Sequence, residues 1–165
     1  MAQSQPDKAQ RRLGDDLQPN EEVRHAVLAF RTGGARRDLV VGGGAVAGPV
    51  GRTLGAAISS SAPGPAHAPE LEMPHRCFIV LTTHRLLVFS LGGVFIASPK
   101  DVIYSLPFDR LAWMAEPALD GTLARTLRVT IGLASGSVLR WEFPRLQIDR
   151  GNALIDELRQ HMPRS

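Results

Sequence analysis

Apolar and polar residues alternate along much of the second half of the chain, which is the pattern of half-buried strands. The clearest case is the segment 127–133, in which Leu127, Val129 and Ile131 alternate with polar or small residues. A period of two places these side chains on one face of a strand, and charged neighbours such as Arg128 and Glu142 are expected to face outward. Shorter segments predict further strands at 94–97, 102–106, 111–116 and 139–143, with a break at 98–101 and turns at 120–121 and 135–136.

The segment 77–93, CFIVLTTHRLLVFSLGG, is apolar on both faces and is interrupted by a polar turn at 82–85. Its β-branched and aromatic content favours a hairpin over a single buried helix, which a short apolar run also allows. Apolar side chains on both faces indicate central strands of a closed or two-layered sheet, because a solvated face would be polar.

The N-terminal part of the chain gives weaker signals. Residues 1–18 are polar and charged, which predicts a disordered tail. Residues 22–31 fit either a helix capped by Asn20 and ended by Gly33, or a strand with Val23 and Val27 on one face. The strand is slightly favoured because the remaining sheet needs a first strand.

Between these strands lies a Gly/Ala-rich insertion. Residues 39–58 carry one charge, Arg52, and are nominally long enough to span a bilayer. However, Pro49 and the scarcity of large apolar side chains disfavour insertion. We therefore expect 39–59 to form a flexible or loosely helical insertion lying on the domain, with a membrane-touching segment as the alternative. Residues 60–74 are Pro-rich and polar, which predicts a linker.

An amphipathic helix is predicted at the end of the chain. Asn152 is its expected N-cap, and acidic residues precede basic ones in the order that suits the helix dipole. Leu154, Ile155, Leu158 and Met162 form one apolar stripe. The order is therefore several antiparallel strands followed by one helix, which indicates a mainly β, α+β domain.

Length and composition agree with one such domain. The chain has 165 residues, and its formal net charge of +3 is too small for a nucleic-acid interface, so no nucleic acid partner is expected. Cys77 is the only cysteine, which excludes an intrachain disulfide and predicts a reducing cytoplasm. The first residues contain no apolar run, so no secretory signal is expected.

Tests for catalytic and cofactor chemistry give negative results. Gly51-Arg52-Thr53 has arginine where a phosphate loop needs lysine, and Ala47 stands where a dinucleotide fingerprint needs its third glycine. His84 lies seven residues beyond Cys77, about 23 Å along a strand, so these two residues cannot share a metal with His75. Cys77 is better interpreted as a small core hydrophobe. We expect no catalytic residue, metal or cofactor.

Two short motifs carry a family resemblance. The run 81–89, LTTHRLLVF, resembles the T-x-x-R-L hairpin signature of bacterial pleckstrin-homology-like (PH-like) domains of the GRAM/PH superfamily. The run 17–23, LQPNEEV, is similar to the family's L-x-P-G-E-x-V entry to the first strand, with Asn20 in place of glycine. The resemblance implies a seven-stranded, bent antiparallel barrel with one C-terminal capping helix. It covers about Leu17 to Met162, and it implies a single domain at 19–162 that is interrupted by the insertion and linker at 39–74.

The resemblance implies lipid binding, peptide binding or oligomerisation, and a fold that hosts all three does not decide among them. Eukaryotic relatives bind inositol phosphates through basic residues in the first strand-to-strand loop, which here begins with Arg31, Arg36 and Arg37. The family's alternating basic residues across a short hairpin are absent, and the insertion separates the two strands, so no phosphoinositide site is carried over. A basic cluster beside the apolar segment 39–58 nevertheless suits an anionic lipid surface. We expect a non-catalytic binding or scaffold module, cytoplasmic and peripheral at the inner membrane. Its anionic lipid contacts are predicted to be Arg31, Arg36, Arg37 and Arg52. The alternatives are a protein-interaction or self-association module, forming a homo-oligomer, and, less favoured, a small enzyme.

Three other residues have competing interpretations. Arg85 could contact an anion at the hairpin tip, but arginine's forked donors more often tie down turn carbonyls or an acidic neighbour, and this second interpretation is favoured. Trp113 and Trp141 are interpreted as core anchors rather than as ligand platforms.

Overall fold

The computed structural model describes residues 4–34, 68–92, 97–122 and 125–163. Two α-helices are present in these ranges, α1 (Gln5–Leu13) and α2 (Ile148–His161), together with short 3-10 turns at Gly14–Asp16, Phe108–Arg110 and Arg145–Gln147. The strands are β1 (Val23–Phe30), β2 (Arg76–Thr82), β3 (Arg85–Gly92), β4 (Ser98–Pro107), β5 (Leu111–Met114), β6 (Ala118–Asp120), β7 (Thr126–Leu133) and β8 (Val138–Pro144).

All eight strands belong to one antiparallel sheet with the order β4-β3-β2-β1-β8-β7-β5, and β6 pairs with β7 beside this path. β1 joins two meanders, because it pairs with β2 along its whole length and with β8 through Phe30 and Glu142. An antiparallel sheet followed by a C-terminal helix agrees with the architecture that the resemblance implied. Within the described ranges the sheet has eight strands, one more than the expected seven, because of the short strand β6.

The predicted hairpin is confirmed as β2 and β3, and it lies at the centre of the structure. One face of the hairpin, with Ile79 and Val88, packs into the main core against β7, β8 and α2. The opposite face, with Phe78 and Phe89, packs into a second cluster with Ala9 and Leu13 of α1. The two clusters explain why both arms are apolar on both faces.

Helix α1 corrects the prediction of a disordered tail at 1–18. The Ser4 side chain accepts a hydrogen bond from the backbone N–H of Asp7, and the Asp7 carboxylate reaches back to Ser4, which forms a capping box. Ala9 and Leu13 are buried against the hairpin, and Arg12 bonds to the Lys100 carbonyl and pairs with Asp101 on β4. Nine residues alone are too short for a stable helix in water, so tertiary packing holds α1.

The strand alternative for 22–31 is confirmed by β1. The predicted break at 98–101 is wrong, because β4 begins at Ser98 and continues to Pro107. Proline lacks the backbone N–H that a central strand needs, and Pro99 is tolerated because β4 is the edge of the sheet. The strand predicted at 94–97 lies almost wholly outside the described residues.

The described part of the predicted linker, residues 68–74, is instead an extended segment that is hydrogen-bonded to the sheet. The backbone N–H of Leu71 donates to the Val138 carbonyl at 2.9 Å, and the Val138 N–H donates to the Pro69 carbonyl at 2.9 Å. Met73 is buried in the main core, and the Tyr104 hydroxyl on β4 donates to the Glu72 carbonyl at 2.7 Å. Residues 68–74 therefore connect β8 with β4. The insertion at 39–59 lies outside the described residues.

The C-terminal helix is confirmed, but its predicted start is wrong. It begins at Ile148, directly after the 3-10 turn Arg145–Gln147, so Asn152 lies inside the helix rather than at its N-cap. Position 151 requires glycine although it lies inside the helix, because a Cβ there would stand 2.5 Å from the Phe143 ring. Leu154, Ile155 and Leu158 are buried as predicted.

Trp141 is fully buried, as the core-anchor interpretation predicted, and Trp113 is half-buried over Gly132, where a Cβ would clash with its indole. Glu142 lies on the face of β8 opposite the core, as expected. It is nevertheless buried, which the prediction of an outward-facing charge did not include. Arg128 on β7 approaches its carboxylate at 3.8 Å.

Substitution of Leu13 by alanine tests the packing of α1. Leu13 is buried in the second cluster, so we expect Leu13→Ala to lower the free energy of unfolding by about 2 kcal/mol, measured by urea denaturation. The control Leu146→Ala removes the same atoms from a side chain that is 91% exposed, and it should change stability by less than about 0.5 kcal/mol. Equal stability of the two variants would contradict the packing of α1 on the hairpin.

Candidate binding surface

Arg31 follows β1 at the end of the sheet where the chain enters the segment between β1 and β2. Its backbone N–H donates to the His75 carbonyl at 3.2 Å, so the first residue after β1 is tied to the residue before β2. Its side chain is exposed, and it forms no ion pair within the described ranges. A guanidinium is charged at every physiological pH and has a donor fork that matches phosphate.

Arg76 lies beside Arg31 at the same end of the sheet. It pairs in register with Phe30, and its guanidinium carbon lies 5.5 Å from the centre of the Phe30 ring. The His75 ring meets the edge of the same ring with centroids 6.2 Å apart. Phe30 therefore holds Arg76 and His75 on one side of β1, next to Arg31. The other predicted contacts, Arg36, Arg37 and Arg52, lie outside the described residues.

The hairpin turn at the opposite end of the sheet is structural. The Arg85 guanidinium donates to the Glu21 carboxylate from Nε at 2.8 Å and from a terminal nitrogen at 3.0 Å. It also donates to the Asp16 carbonyl at 2.8 Å and to the Ser105 hydroxyl at 3.1 Å. Four of its five N–H donors therefore bond within the protein, and the interpretation of Arg85 as a tie within the fold is confirmed. We call Glu21, Thr82 and Arg85 the turn clasp.

The turn clasp joins the two motifs of the family resemblance. The Thr82 hydroxyl donates to Glu21 at 2.6 Å and accepts the backbone N–H of Arg85 at 3.0 Å. Gln18 donates its N–H to the same carboxylate at 2.8 Å, across a turn in which Asn20 adopts φ 63°. Glycine and asparagine tolerate this left-handed conformation, which explains Asn20 at the position of the family's glycine.

A shallow cleft of about 660 Å³ lies between β1 and α2. On its floor the Glu157 carboxylate accepts from His25 Nε2 at 2.7 Å and from Arg24 Nε at 3.2 Å. Arg24, His25 and Glu157 are thus joined by these bonds. The sequence did not indicate this cluster, because the partners are 132 residues apart and no motif marks them.

Two carboxyl groups have pKa values below the ordinary value of 4.5. Burial raises the pKa of Glu21, but hydrogen bonds from Arg85, Gln18 and Thr82 outweigh it and lower the net value. Burial likewise raises the pKa of Glu157, and the bonds from His25 and Arg24 outweigh it. Both carboxylates therefore stabilise the folded state in their charged form.

Cys77 is buried in the main core, as its interpretation as a core hydrophobe predicted, and burial raises its pKa to about 12. A thiol with this pKa is not a nucleophile at neutral pH. Within the described ranges, no three His, Cys, Asp or Glu side chains come together as metal ligands, and no helix is long and apolar enough to cross a membrane.

A comparison with models of protein families finds no match, and a comparison with curated proteins finds none either. Among solved structures, the chain is similar to a pleckstrin homology domain from Shewanella amazonensis SB2B. The sequence identity is 14% and the TM-score is 0.46, over 89% of this chain and 93% of that chain. At this level of similarity the comparison adds no argument about the fold, which is described from the strand order and the position of α2 alone.

Removal of the Arg85 side chain tests the turn clasp. The Glu21 side chain is fully buried and that of Arg85 is 15% exposed, so Arg85→Ala leaves a buried carboxylate without its cation. We expect the free energy of unfolding to fall by about 3 kcal/mol in urea denaturation. Arg24→Ala breaks an ion pair whose arginine is half exposed, and it should cost about 1 kcal/mol or less. Equal losses in the two variants would contradict the structural role of Arg85.

The pH dependence of stability tests the state of Glu21. Because its folded pKa is lowered, its contribution is complete above the ordinary value of 4.5 and is lost as pH falls through the folded pKa. We expect the stability difference between the native chain and Glu21→Gln to narrow below about pH 4.5, measured by urea denaturation between pH 3 and pH 7. The difference for Glu116→Gln, whose side chain is mostly exposed, should show no comparable narrowing. A gap for Glu21→Gln that is constant with pH would contradict the lowered pKa.

Proposed function

We propose that the protein is a non-catalytic PH-like binding module that attaches to an anionic membrane surface, peripherally and on the cytoplasmic side. The observation that carries this proposal is the position of Arg31. Its charge is exposed at the β1–β2 end of the sheet and, in the described part of the chain, is not neutralised by an ion pair. An arginine held in this way is available for the phosphate of a lipid headgroup.

The setting of Arg31 supports this role. The hydrogen bond to His75 fixes its backbone, so only the side chain must be ordered when it meets a ligand. Each basic residue near an anionic surface contributes about 1 kcal/mol, so Arg31 alone gives only weak attachment.

Stable attachment therefore requires further contacts. In the sequence, Arg36, Arg37 and Arg52 follow Arg31 in the same connection between β1 and β2. With Arg31 they make four charges, which corresponds to about 4 kcal/mol when all lie near the surface. The apolar residues at 39–58 are proposed to add contact with the membrane interface.

The state of the other polar groups supports a binding role rather than catalysis. Arg85 donates four hydrogen bonds within the fold, two of them to Glu21, and His25 and Glu157 are bonded to each other in the cleft. Cys77 is buried with a pKa of about 12. A catalytic site needs a nucleophile or base that is free to meet a substrate, and none of these groups is in that state.

Flotation of the full chain with vesicles tests the proposal. We expect binding to phosphatidylserine-containing vesicles, no binding to pure phosphatidylcholine vesicles, and weaker binding at high salt. Arg31→Ala should weaken binding about fivefold, and replacing Arg36, Arg37 and Arg52 as well should abolish it. Deletion of 39–59 should also weaken binding.

Arg110→Ala is the matched control, because it removes an exposed arginine that forms no ion pair within the described ranges, in the 3-10 turn after β4 at the opposite end of the sheet. It should leave vesicle binding within about twofold. Failure of the native chain to float with anionic vesicles would overturn the proposal. Formation of an oligomer in sedimentation, with no vesicle binding, would instead favour a self-association module.

A further inference from the structure

A second surface lies at the start of α2, away from Arg31. Leu146, in the 3-10 turn between β8 and α2, is 91% exposed and is the most exposed large apolar side chain of the described residues. Single exposed leucines are common on protein surfaces, so exposure alone does not indicate a role. The surroundings of Leu146 are what distinguish it.

Three exposed arginines lie near Leu146 in the chain or through the sheet. Arg145 precedes Leu146, Arg150 follows it by one helical turn, and Arg125 directly precedes β7. Because Thr126 pairs with Pro144, the continued register of the two strands brings the backbone of Arg125 toward that of Arg145. No ion pair involves these three arginines in the ranges that the structure describes; Asp149 is next to Arg150 in sequence, and Asp120, which pairs with Arg128, is the acidic residue nearest to Arg125. We call Arg125, Arg145, Leu146 and Arg150 the Leu146 patch.

The backbone holds Leu146 in a fixed position. Pro144 ends β8 in an extended conformation, and the backbone N–H of Ile148 donates to the Arg145 carbonyl to close the turn. Ile148 packs against the main core and starts α2. The leucine is thus presented on a rigid support, so placing it in a partner costs little conformational entropy.

We propose that the Leu146 patch is a second contact with an anionic membrane, in which Leu146 enters the lipid interface and the arginines meet the headgroups. An exposed apolar side chain with guanidinium groups nearby fits this partner, since arginine favours anionic phosphate and leucine favours the acyl boundary. This inference rests on the proposed membrane attachment and assigns it a site that is independent of the β1–β2 end.

The 3-10 turn contacts β1, and β1 ends at Phe30, directly before Arg31. Eight residues of strand span about 26 Å, so both contacts lie within the length of one strand. Two contacts on one rigid domain increase attachment more than either alone, because the second binds at a high effective concentration.

The test uses Leu146→Cys in the full chain, labelled with a fluorophore that responds to solvent polarity. The buried Cys77, with a pKa of about 12, should stay unlabelled in the folded protein. Val102→Cys is the matched control, since Val102 is also exposed but lies on the edge strand β4. We expect anionic vesicles to shift the emission of the label at 146 to the blue and to leave the label at 102 unchanged.

The outcomes separate the two proposals. Flotation with anionic vesicles but no blue shift at 146 would overturn the role of the Leu146 patch and leave the contact at Arg31 standing. No flotation under any condition would overturn both. In addition, Leu146→Ala should weaken vesicle binding about tenfold and Val102→Ala by less than about twofold. Equal effects of these two variants would also overturn the role of Leu146.

Discussion

The buried ion pair between Glu21 and Arg85 is the interaction on which the rest of the structure depends. It connects the segment before β1 with the start of β3, and through the same guanidinium with Asp16 after α1 and Ser105 on β4. A buried carboxylate is unfavourable unless it is fully bonded, and Glu21 receives donors from Arg85, Thr82 and Gln18. The position of α1 over the hairpin and the start of β1 are both set at this point.

The hairpin could be predicted from the sequence because its signal is local. Residues 77–93 are β-branched and aromatic and are broken by one polar turn, and a strand's side-chain period needs no knowledge of distant contacts. The same segment also carried evidence for α1. A second apolar face with Phe78 and Phe89 requires a cover, and Ser4 with Asp7 is a capping pattern. The helix was missed because residues 1–18 contain few apolar residues. Two of them, Ala9 and Leu13, are enough to cover the second apolar face of the hairpin.

Other elements depend on tertiary context that the sequence does not display. The prolines in 68–74 predicted a linker, whereas hydrogen bonds to Val138 and Tyr104 attach this segment to the sheet. The start of α2 was placed too late because Asn152 is a common N-cap residue, whereas the helix begins at Ile148 and Asn152 lies inside it. The Phe143 ring leaves no room for a side chain at Gly151, so glycine is required inside the helix. Of the predicted lipid contacts, only Arg31 lies in the described part of the chain. The exposure of Leu146 could not be predicted from the sequence, because it depends on how the turn before α2 packs.

The two ends of the sheet thus differ in what their charges do. At the β2–β3 end, Arg85 is ion-paired with Glu21 within the protein. At the β1–β2 end, the Arg31 side chain is exposed. The exposed charge of Arg31 is the basis of the proposed anion contact at one end of the sheet, and the Leu146 patch is proposed to add an apolar contact near β1.

Hydrogen–deuterium exchange of the full chain with and without anionic vesicles tests this account most directly. We expect vesicles to slow exchange at 31–34 and 75–77 and at 145–150, while the turn clasp at 82–85 exchanges at the same rate in both states. Slower exchange confined to 82–85, or no change anywhere while the chain floats with the vesicles, would contradict the account.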